Sequence, residues 1–213
     1  MGIIKKSLLI IGFAFLTISW WWDDSICPNN SHPHLINLGL PSGIRWSCCN
    51  VGSTSPEQTG GFYAWGETEI KSDYDEKHYK HSELSNQVPQ RMGNIAGTKY
   101  DAAHIKMKGA LKMPSSKQWQ ELIDYCSWKW TSYRGKYGRM VTGPNGKKIF
   151  IPAGGEKYGR TQWSGKDERG AYWSSDIKDR KHPYQFRFHE GMYEVRSINR
   201  FEPGFNIRPI VVK

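Results

Sequence analysis

A chain of 213 residues fits one domain of roughly 150–200 residues plus a short export segment. Ten tryptophans and an aromatic content of 14% need burial, which excludes a largely disordered chain and favours a fold in which large rings cover irregular backbone. The formal net charge is +10, but the lysines and arginines are scattered along the chain, so the charge does not by itself indicate a nucleic-acid partner.

The N-terminus has the pattern of a secretory signal. Lys5 and Lys6 precede an apolar run over residues 8–18, and a charged segment followed by a short apolar one is typical of such signals. No small-residue cleavage site is evident, and no cysteine directly follows the run, so acylation is not predicted. Residues 1–22 are therefore predicted to be a signal peptide or an uncleaved N-terminal anchor. A linker (23–33) and a single domain (34–213) follow.

Turn residues divide the first half of the domain. Short apolar runs at 35–40 and 44–48 flank a Pro-Ser-Gly turn, which predicts a first β-hairpin. The polar stretch 67–92 is predicted to be a long variable loop, and loops of this length in a compact domain are usually functional or mobile insertions. A short helix is predicted over 100–106, with Thr98 as its N-cap.

The stretch 113–152 carries the strongest local signals. Ser115 and Gln118 have the spacing of a helix capping box. The apolar residues that follow are spaced at i, i+3, i+4 and i+7, as on one face of a helix: Trp119, Leu122, Ile123 and Cys126. Alternation over 128–131 predicts a strand, and a Gly-Pro-Asn-Gly turn between 139–142 and 148–151 predicts a hairpin.

The last third of the chain alternates between apolar and polar residues, as half-buried strands do. The predicted strands are 172–174, 184–189, 193–198 and 207–212. The glycine-containing stretch 156–170 before them is predicted to be a second functional loop. Two short helices, small antiparallel sheets and long loops together predict an α+β domain.

Export would place the cysteines where disulfides form: Cys27, Cys48, Cys49 and Cys126. Cys48 and Cys49 are not expected to bond to each other, because neighbouring side chains in a strand point to opposite faces. Cys126 lies on the inward face of the predicted helix. A disulfide of Cys49 or Cys48 with Cys126 is one expectation, and buried free thiols are the other. Without a Cys-x-x-Cys motif or histidines at helical spacing, no metal site is predicted.

A series of motifs, including Tyr63-Ala64-Trp65-Gly66 and Tyr172-Trp173-Ser174-Ser175, follows a recognisable order. Their positions are 38–46, 49–52, 63–68, 100–103, 113–114, 121–123, 126–130, 141–146, 149–155, 172–175 and 207–210. Over about residues 35–212 the chain resembles the Fibrobacter succinogenes major paralogous domain family. The resemblance implies a C-type-lectin-like fold and an exported protein of the Bacteroidetes type, and it implies no established activity. Two departures are Leu111-Lys112, where the family usually has Trp-Arg, and the additional Cys48.

The motifs of known activities on lectin-like folds are missing from the sequence. Calcium-dependent lectins use a Glu-Pro-Asn or Gln-Pro-Asp loop to supply oxygen ligands, whereas this chain has Glu202-Pro203-Gly204. Sulfatase-modifying oxidases use a late cysteine pair, and no cysteine follows Cys126. A Gly-x-Ser-x-Gly elbow and a carboxylate pair at acid/base spacing are also lacking. The sequence therefore predicts no catalytic residue, no metal and no cofactor.

Aromatic and arginine side chains in the stretch 156–170 are the candidate ligand-binding residues: Trp163, Tyr158, Arg160 and Arg169. Aromatic faces stack on sugars, and the guanidinium groups of Arg160, Arg169 and Arg187 can supply hydrogen bonds and charge. The other aromatic residues of this half of the chain are expected to fill the core: Tyr172, Trp173, Phe186 and Phe188.

These observations predict an exported, non-catalytic binding module that recognises a surface glycan or protein through loop aromatics. Its expected location is the cell surface, the periplasm or the extracellular space. The expected membrane contact is limited to an uncleaved N-terminal anchor. The alternative is a structural or adhesin-like cell-envelope subunit without a small ligand. Self-assembly without added glycan would favour this alternative.

Overall fold

The computed structural model describes residues 31–82, 89–107, 110–160 and 162–212. The predicted signal or anchor, most of the linker and Cys27 lie outside these ranges. The described strands are β1 (Leu35–Asn37), β2 (Arg45–Ser47), β3 (Ser127–Tyr133), β4 (Lys136–Thr142), β5 (Lys148–Pro152), β6 (Glu156–Tyr158), β7 (Gln162–Ser164), β8 (Arg169–Asp179), β9 (His182–His189), β10 (Met192–Ser197) and β11 (Ile210–Val211). The α-helices are α1 (Ala102–Met107) and α2 (Ser116–Tyr125).

The strands form small antiparallel sheets, ordered β1-β2-β11, β3-β4-β5, β10-β9-β8 and β6-β7. The architecture is thus mixed α+β, with two helices and long connecting segments, as the sequence predicts. The first predicted hairpin is confirmed by the pairing of Ile36 with Trp46, and β11 pairs with the other edge of β2 through Ile210. In the described part of the chain, no helix combines the length and apolar character needed to cross a membrane.

Helix α2 begins as its sequence predicts. The Ser115 hydroxyl accepts from the backbone N–H of Gln118, and the Gln118 side chain accepts from the backbone N–H of Ser115 at 2.7 Å, which completes the capping box. Trp119 and Leu122 are fully buried, and Ile123 and Cys126 pack partly buried against the same cluster. The predicted apolar stripe therefore docks the helix on the core.

The predicted cap of α1 is wrong. Asp101 caps this helix, because its Oδ1 accepts from the backbone N–H groups of Ala103 at 2.8 Å and of His104 at 3.2 Å. Thr98 instead accepts from the N–H of Tyr100 at 3.2 Å within the turn that precedes the helix. A carboxylate closer to the helix satisfies the first-turn amides more directly than the predicted threonine.

Two predicted loops contain regular structure. The stretch 67–92 includes short 3-10 helices at Glu76–His78 and Pro89–Met92, and residues 83–88 within it lie outside the described ranges. The stretch 156–170 is a short hairpin, since β6 and β7 pair antiparallel with Lys157 opposite Trp163. This hairpin is only three pairs long, too short for an alternation pattern to reveal it.

Stacked aromatic rings fill the core, as expected for the Tyr-Trp signature. The Trp119 ring lies 4.4 Å from that of Phe186 and 4.7 Å from that of Trp46, measured between centroids. The four aromatic residues predicted to be core are all no more than 1% exposed: Tyr172, Trp173, Phe186 and Phe188. The conspicuous rings of β8 and β9 are therefore scaffold.

Candidate functional site

A cavity of about 660 Å³ opens beside the β8-β9-β10 sheet and is bounded on another side by β6. Its volume lies within the roughly 300–1,000 Å³ typical of small-molecule sites. Basic side chains dominate its lining: Arg169, Arg187, Arg196, Arg200, His182 and His189. Glu156 is the one carboxylate among the described lining residues. Glu194 and Glu202 also pair with lining arginines, so three carboxylates oppose four guanidinium groups, and the remaining positive charge favours an anionic ligand.

The arginines on β9 and β10 are placed by strand alternation. Phe186 and Phe188 face the core, so Arg187 between them points to the opposite face. Glu194 is its cross-strand partner on β10, and the Nε of Arg187 donates to the Glu194 carboxylate at 2.7 Å. Arg196 lies two residues further along β10, with its Nη1 3.9 Å from the same carboxylate. The pair fixes Arg187 through Nε, and the guanidinium carries two further nitrogen donors.

Arg169 occupies the start of β8 at the junction with the β6-β7 hairpin. Its Nε lies 3.2 Å from the Glu156 carboxylate, and its Nη2 donates to the hydroxyl of Ser164. Gly165 adopts a φ of +69° here, and an added Cβ would meet the Arg169 side chain. A residue with a side chain at this turn would displace Arg169 from the cavity wall.

Tyr158 and Arg200 form a further part of the wall. The guanidinium of Arg200 lies 5.6 Å from the centroid of the Tyr158 ring, and its Nε donates to Glu202 at 2.7 Å. The Tyr158 hydroxyl donates to Glu156 at 3.1 Å. Burial and the neighbouring Glu156 carboxylate hold the pKa of Tyr158 well above its ordinary value. The hydroxyl therefore stays neutral and able to donate.

The structure separates the four predicted ligand-binding residues. Tyr158 and Arg169 line the cavity, whereas Trp163 and Arg160 do not. Trp163 is 44% exposed, donates its indole N–H to the carbonyl of Gly154 at 2.7 Å and lies edge-on to Phe62. Its ring is also 4.8 Å from the ammonium of Lys166. Trp163 thus belongs to a separate surface that the β6-β7 hairpin supports.

Apart from Tyr158, Arg169 and Arg187, the polar residues that line the cavity are absent from the sequence-based prediction. Gln185, Arg187 and His189 alternate along β9, and Arg196 continues the same face on β10. This period of two is visible in the sequence. The sequence analysis used this alternation only to assign the strands. The same alternation also indicates that these polar side chains share one outward face.

Of the two expectations for the cysteines, the structure agrees with free thiols, because Cys49 and Cys126 are not bonded to each other. Cys126 caps the end of α2, and Cys49 instead has the Sγ of Cys48 3.3 Å from its own. Cys48 and Cys49 are not bonded to each other, as expected, but their side chains do not point to opposite faces. Strand β2 ends at Ser47, so the alternation of side chains ends before the cysteines.

A cluster of possible metal ligands is a second feature that the sequence-based prediction missed. The structure brings together His32, His34 and Cys48, with one ligand atom of each within 4.8 Å of the others. Helical spacing alone does not find such a group. The His-x-His spacing of His32 and His34 was the signal available in the sequence.

The fold and the cavity define a class: a mixed α+β domain of small antiparallel sheets with an arginine-lined cavity beside its three-stranded β8-β9-β10 sheet. Comparison with protein-family models, with curated proteins and with solved structures gives no match. The chemistry of the site is therefore the basis on which a function can be proposed.

Proposed function

We propose that this chain is an exported, non-catalytic binding module whose arginine-lined cavity takes an acidic saccharide of a cell surface. The proposal includes a C-type-lectin-like fold and membership of the Fibrobacter succinogenes major paralogous domain family, supported by the order of the sequence motifs. The observation that carries the proposed function is the convergence of four arginines on one cavity with Glu156 as the one described lining carboxylate.

The chemistry of the cavity favours an anionic group on the ligand. Guanidinium groups bind carboxylates and sulfates through paired, charge-assisted hydrogen bonds. Glu194 and Glu202 engage the Nε atoms of Arg187 and Arg200, which orients both side chains. The remaining guanidinium donors then meet a ligand without first having to be ordered, and this preorganisation lowers the cost of binding.

Polar groups of the wall suit the neutral part of a saccharide. Gln185 supplies an amide, and the Tyr158 hydroxyl and the Glu156 carboxylate can exchange hydrogen bonds with sugar hydroxyls. This proposal moves recognition from the exposed aromatic Trp163 to the cavity. Of the four sequence-predicted ligand-binding residues, it retains Tyr158 and Arg169.

The test is binding of the protein to acidic oligosaccharides, carboxylated and sulfated, beside neutral oligosaccharides of the same backbone. We expect selective binding of acidic members, weakened by salt. Arg187→Gln removes a charge-assisted bond worth about 1.5–3 kcal/mol, so affinity should fall roughly 10- to 100-fold. Arg180→Gln removes the same charge from an exposed position outside the cavity lining and serves as the matched control.

Two outcomes would contradict the proposal. One is equal binding of acidic and neutral members, and the other is an Arg187→Gln variant that binds like Arg180→Gln. Trp163→Ala distinguishes the loop-aromatic alternative, because that variant should bind normally if the cavity is the site. Self-association of the protein without any glycan, unaffected by Arg187→Gln, would favour the structural or adhesin-like subunit.

A further inference from the structure

A second polar cluster lies where residues 31–34 run beside the end of β2, and none of its members lines the arginine cavity. His32 Nδ1 is 3.4 Å from Cys48 Sγ, and His34 Nδ1 is 3.9 Å from the same sulfur. The two imidazole rings stand edge to face, with centroids 5.1 Å apart. Two nitrogens and one sulfur thus converge on a common point.

We propose that His32, His34 and Cys48 bind a zinc ion. With Zn–N bonds of about 2.0–2.1 Å and a Zn–S bond of about 2.3 Å, tetrahedral angles place nitrogen and sulfur ligands about 3.6 Å apart. The two observed nitrogen–sulfur distances, 3.4 and 3.9 Å, lie on either side of this value. Both nitrogen–sulfur distances are therefore within a few tenths of an ångström of the value that the ion requires.

The ligand types decide between metals. Imidazole nitrogen and thiolate sulfur suit zinc and other borderline or soft cations, whereas calcium and magnesium prefer oxygen ligands. The three residues fill three tetrahedral positions. Cys49 lies beside Cys48 but outside the group whose atoms are all within 4.8 Å, so the described residues leave the fourth position to a water or another ligand.

Hydrogen bonds from backbone N–H groups hold His34 and Cys48 together. The N–H of Cys48 donates to the carbonyl of His34 at 2.9 Å, and the N–H of His34 donates to Cys48 Sγ at 3.1 Å. Cys48 is fully buried, while both histidines are partly exposed. The sulfur is therefore fixed at the base of the site, and an ion reaches it from solvent past the imidazoles.

The experiment uses the full chain, reduced and stripped of metal with a chelator, and Co²⁺ as a spectroscopic probe. We expect one equivalent of Co²⁺ to give the intense visible bands of a tetrahedral ion and a thiolate-to-cobalt charge-transfer band, both abolished by Zn²⁺. His32→Gln and His34→Gln should each weaken Zn²⁺ binding by more than the roughly 10–100-fold that loss of an outer-shell partner costs. Cys48→Ser should remove the charge-transfer band.

Matched variants control for metal binding elsewhere in the chain. Cys126→Ser removes a thiol outside the site, and Asp75→Asn disrupts the competing group of Asp73, Asp75 and His78. Both should bind Co²⁺ and Zn²⁺ like the unaltered protein. Because the histidines are partly exposed, their variants should stay folded by circular dichroism even if Cys48→Ser does not. A spectrum without the thiolate band, unchanged affinity in His34→Gln, or loss of binding in Asp75→Asn would overturn the proposal.

Discussion

Replacing Asp101 by Asn should destabilise the domain far more than an amide-for-carboxylate exchange does at the surface. Asp101 is fully buried and accepts four backbone N–H groups. Oδ1 accepts those of Ala103 and His104, and Oδ2 accepts those of Gly97 at 2.8 Å and Met113 at 2.9 Å. One carboxylate therefore joins a loop, the first turn of α1 and the segment that leads into α2.

The magnitude follows from counting the donors that lose their acceptor. An amide has one oxygen, so Asn at position 101 satisfies two of the four N–H groups and turns its own NH₂ donor toward the other two. A buried donor left without a partner costs about 1–3 kcal/mol. Two such donors make the expected loss about 2–6 kcal/mol, a large part of a typical unfolding free energy of about 5–15 kcal/mol.

Urea unfolding followed by tryptophan fluorescence measures this loss. Asp124→Asn is the control, because Asp124 is exposed on α2 and its carboxylate accepts from the side chain of Gln120 at 2.7 Å, a bond that an amide oxygen can also accept. The control should lie within about 0.5 kcal/mol of the unaltered protein. A loss of less than about 1 kcal/mol for Asp101→Asn would refute the reasoning, since the orphaned amides would then have found other partners.

Three further predictions concern the core and the cysteines. Trp119→Ala should lower the unfolding free energy by about 3–5 kcal/mol, because it removes the ring that packs between Trp46 and Phe186. A loss of only about 1 kcal/mol in the same urea assay would contradict this. Burial raises the pKa of Tyr172 from 10.0 to about 12, so its stabilising effect is full below pH 10 and is lost as pH rises through 12. Between pH 10 and 12, the Tyr172→Phe variant should therefore lose less stability than the unaltered protein. Identical pH profiles for the two proteins would argue against a Tyr172 hydroxyl that keeps its proton. Burial raises the pKa of Cys126 from 9.0 to about 11. Alkylation of this thiol at about pH 8 should therefore be about 100-fold slower than in the unfolded chain, as monitored by peptide mass spectrometry. Equal alkylation rates would contradict the shift.

Local signals explain why parts of the fold were predictable. The capping box of α2 and the hairpin of β4 and β5 depend on residues close in sequence, so their patterns carry the structure directly. The α1 cap failed because Thr98 and Asp101 are both acceptable caps, and the choice depends on Met113, whose amide Asp101 also binds. That contact lies outside any local window.

The candidate sites required tertiary structure. Arg169 and Arg187 reach one cavity because β8 pairs with β9, and Tyr158 joins them through β6, which no local pattern reveals. The zinc cluster likewise depends on residues 14 and 16 positions apart in sequence, His34 and His32 relative to Cys48. In both cases the sequence shows the residue types, but it does not show that the fold brings them close together.

The β1-β2-β11 sheet joins the two ends of the described chain, since its central strand has Leu35–Asn37 on one side and Ile210–Val211 on the other. Strand β2 consequently keeps one edge open during synthesis until almost the last described residue has left the ribosome. Among the described sheets, this one is therefore the last whose strands are all available during translation.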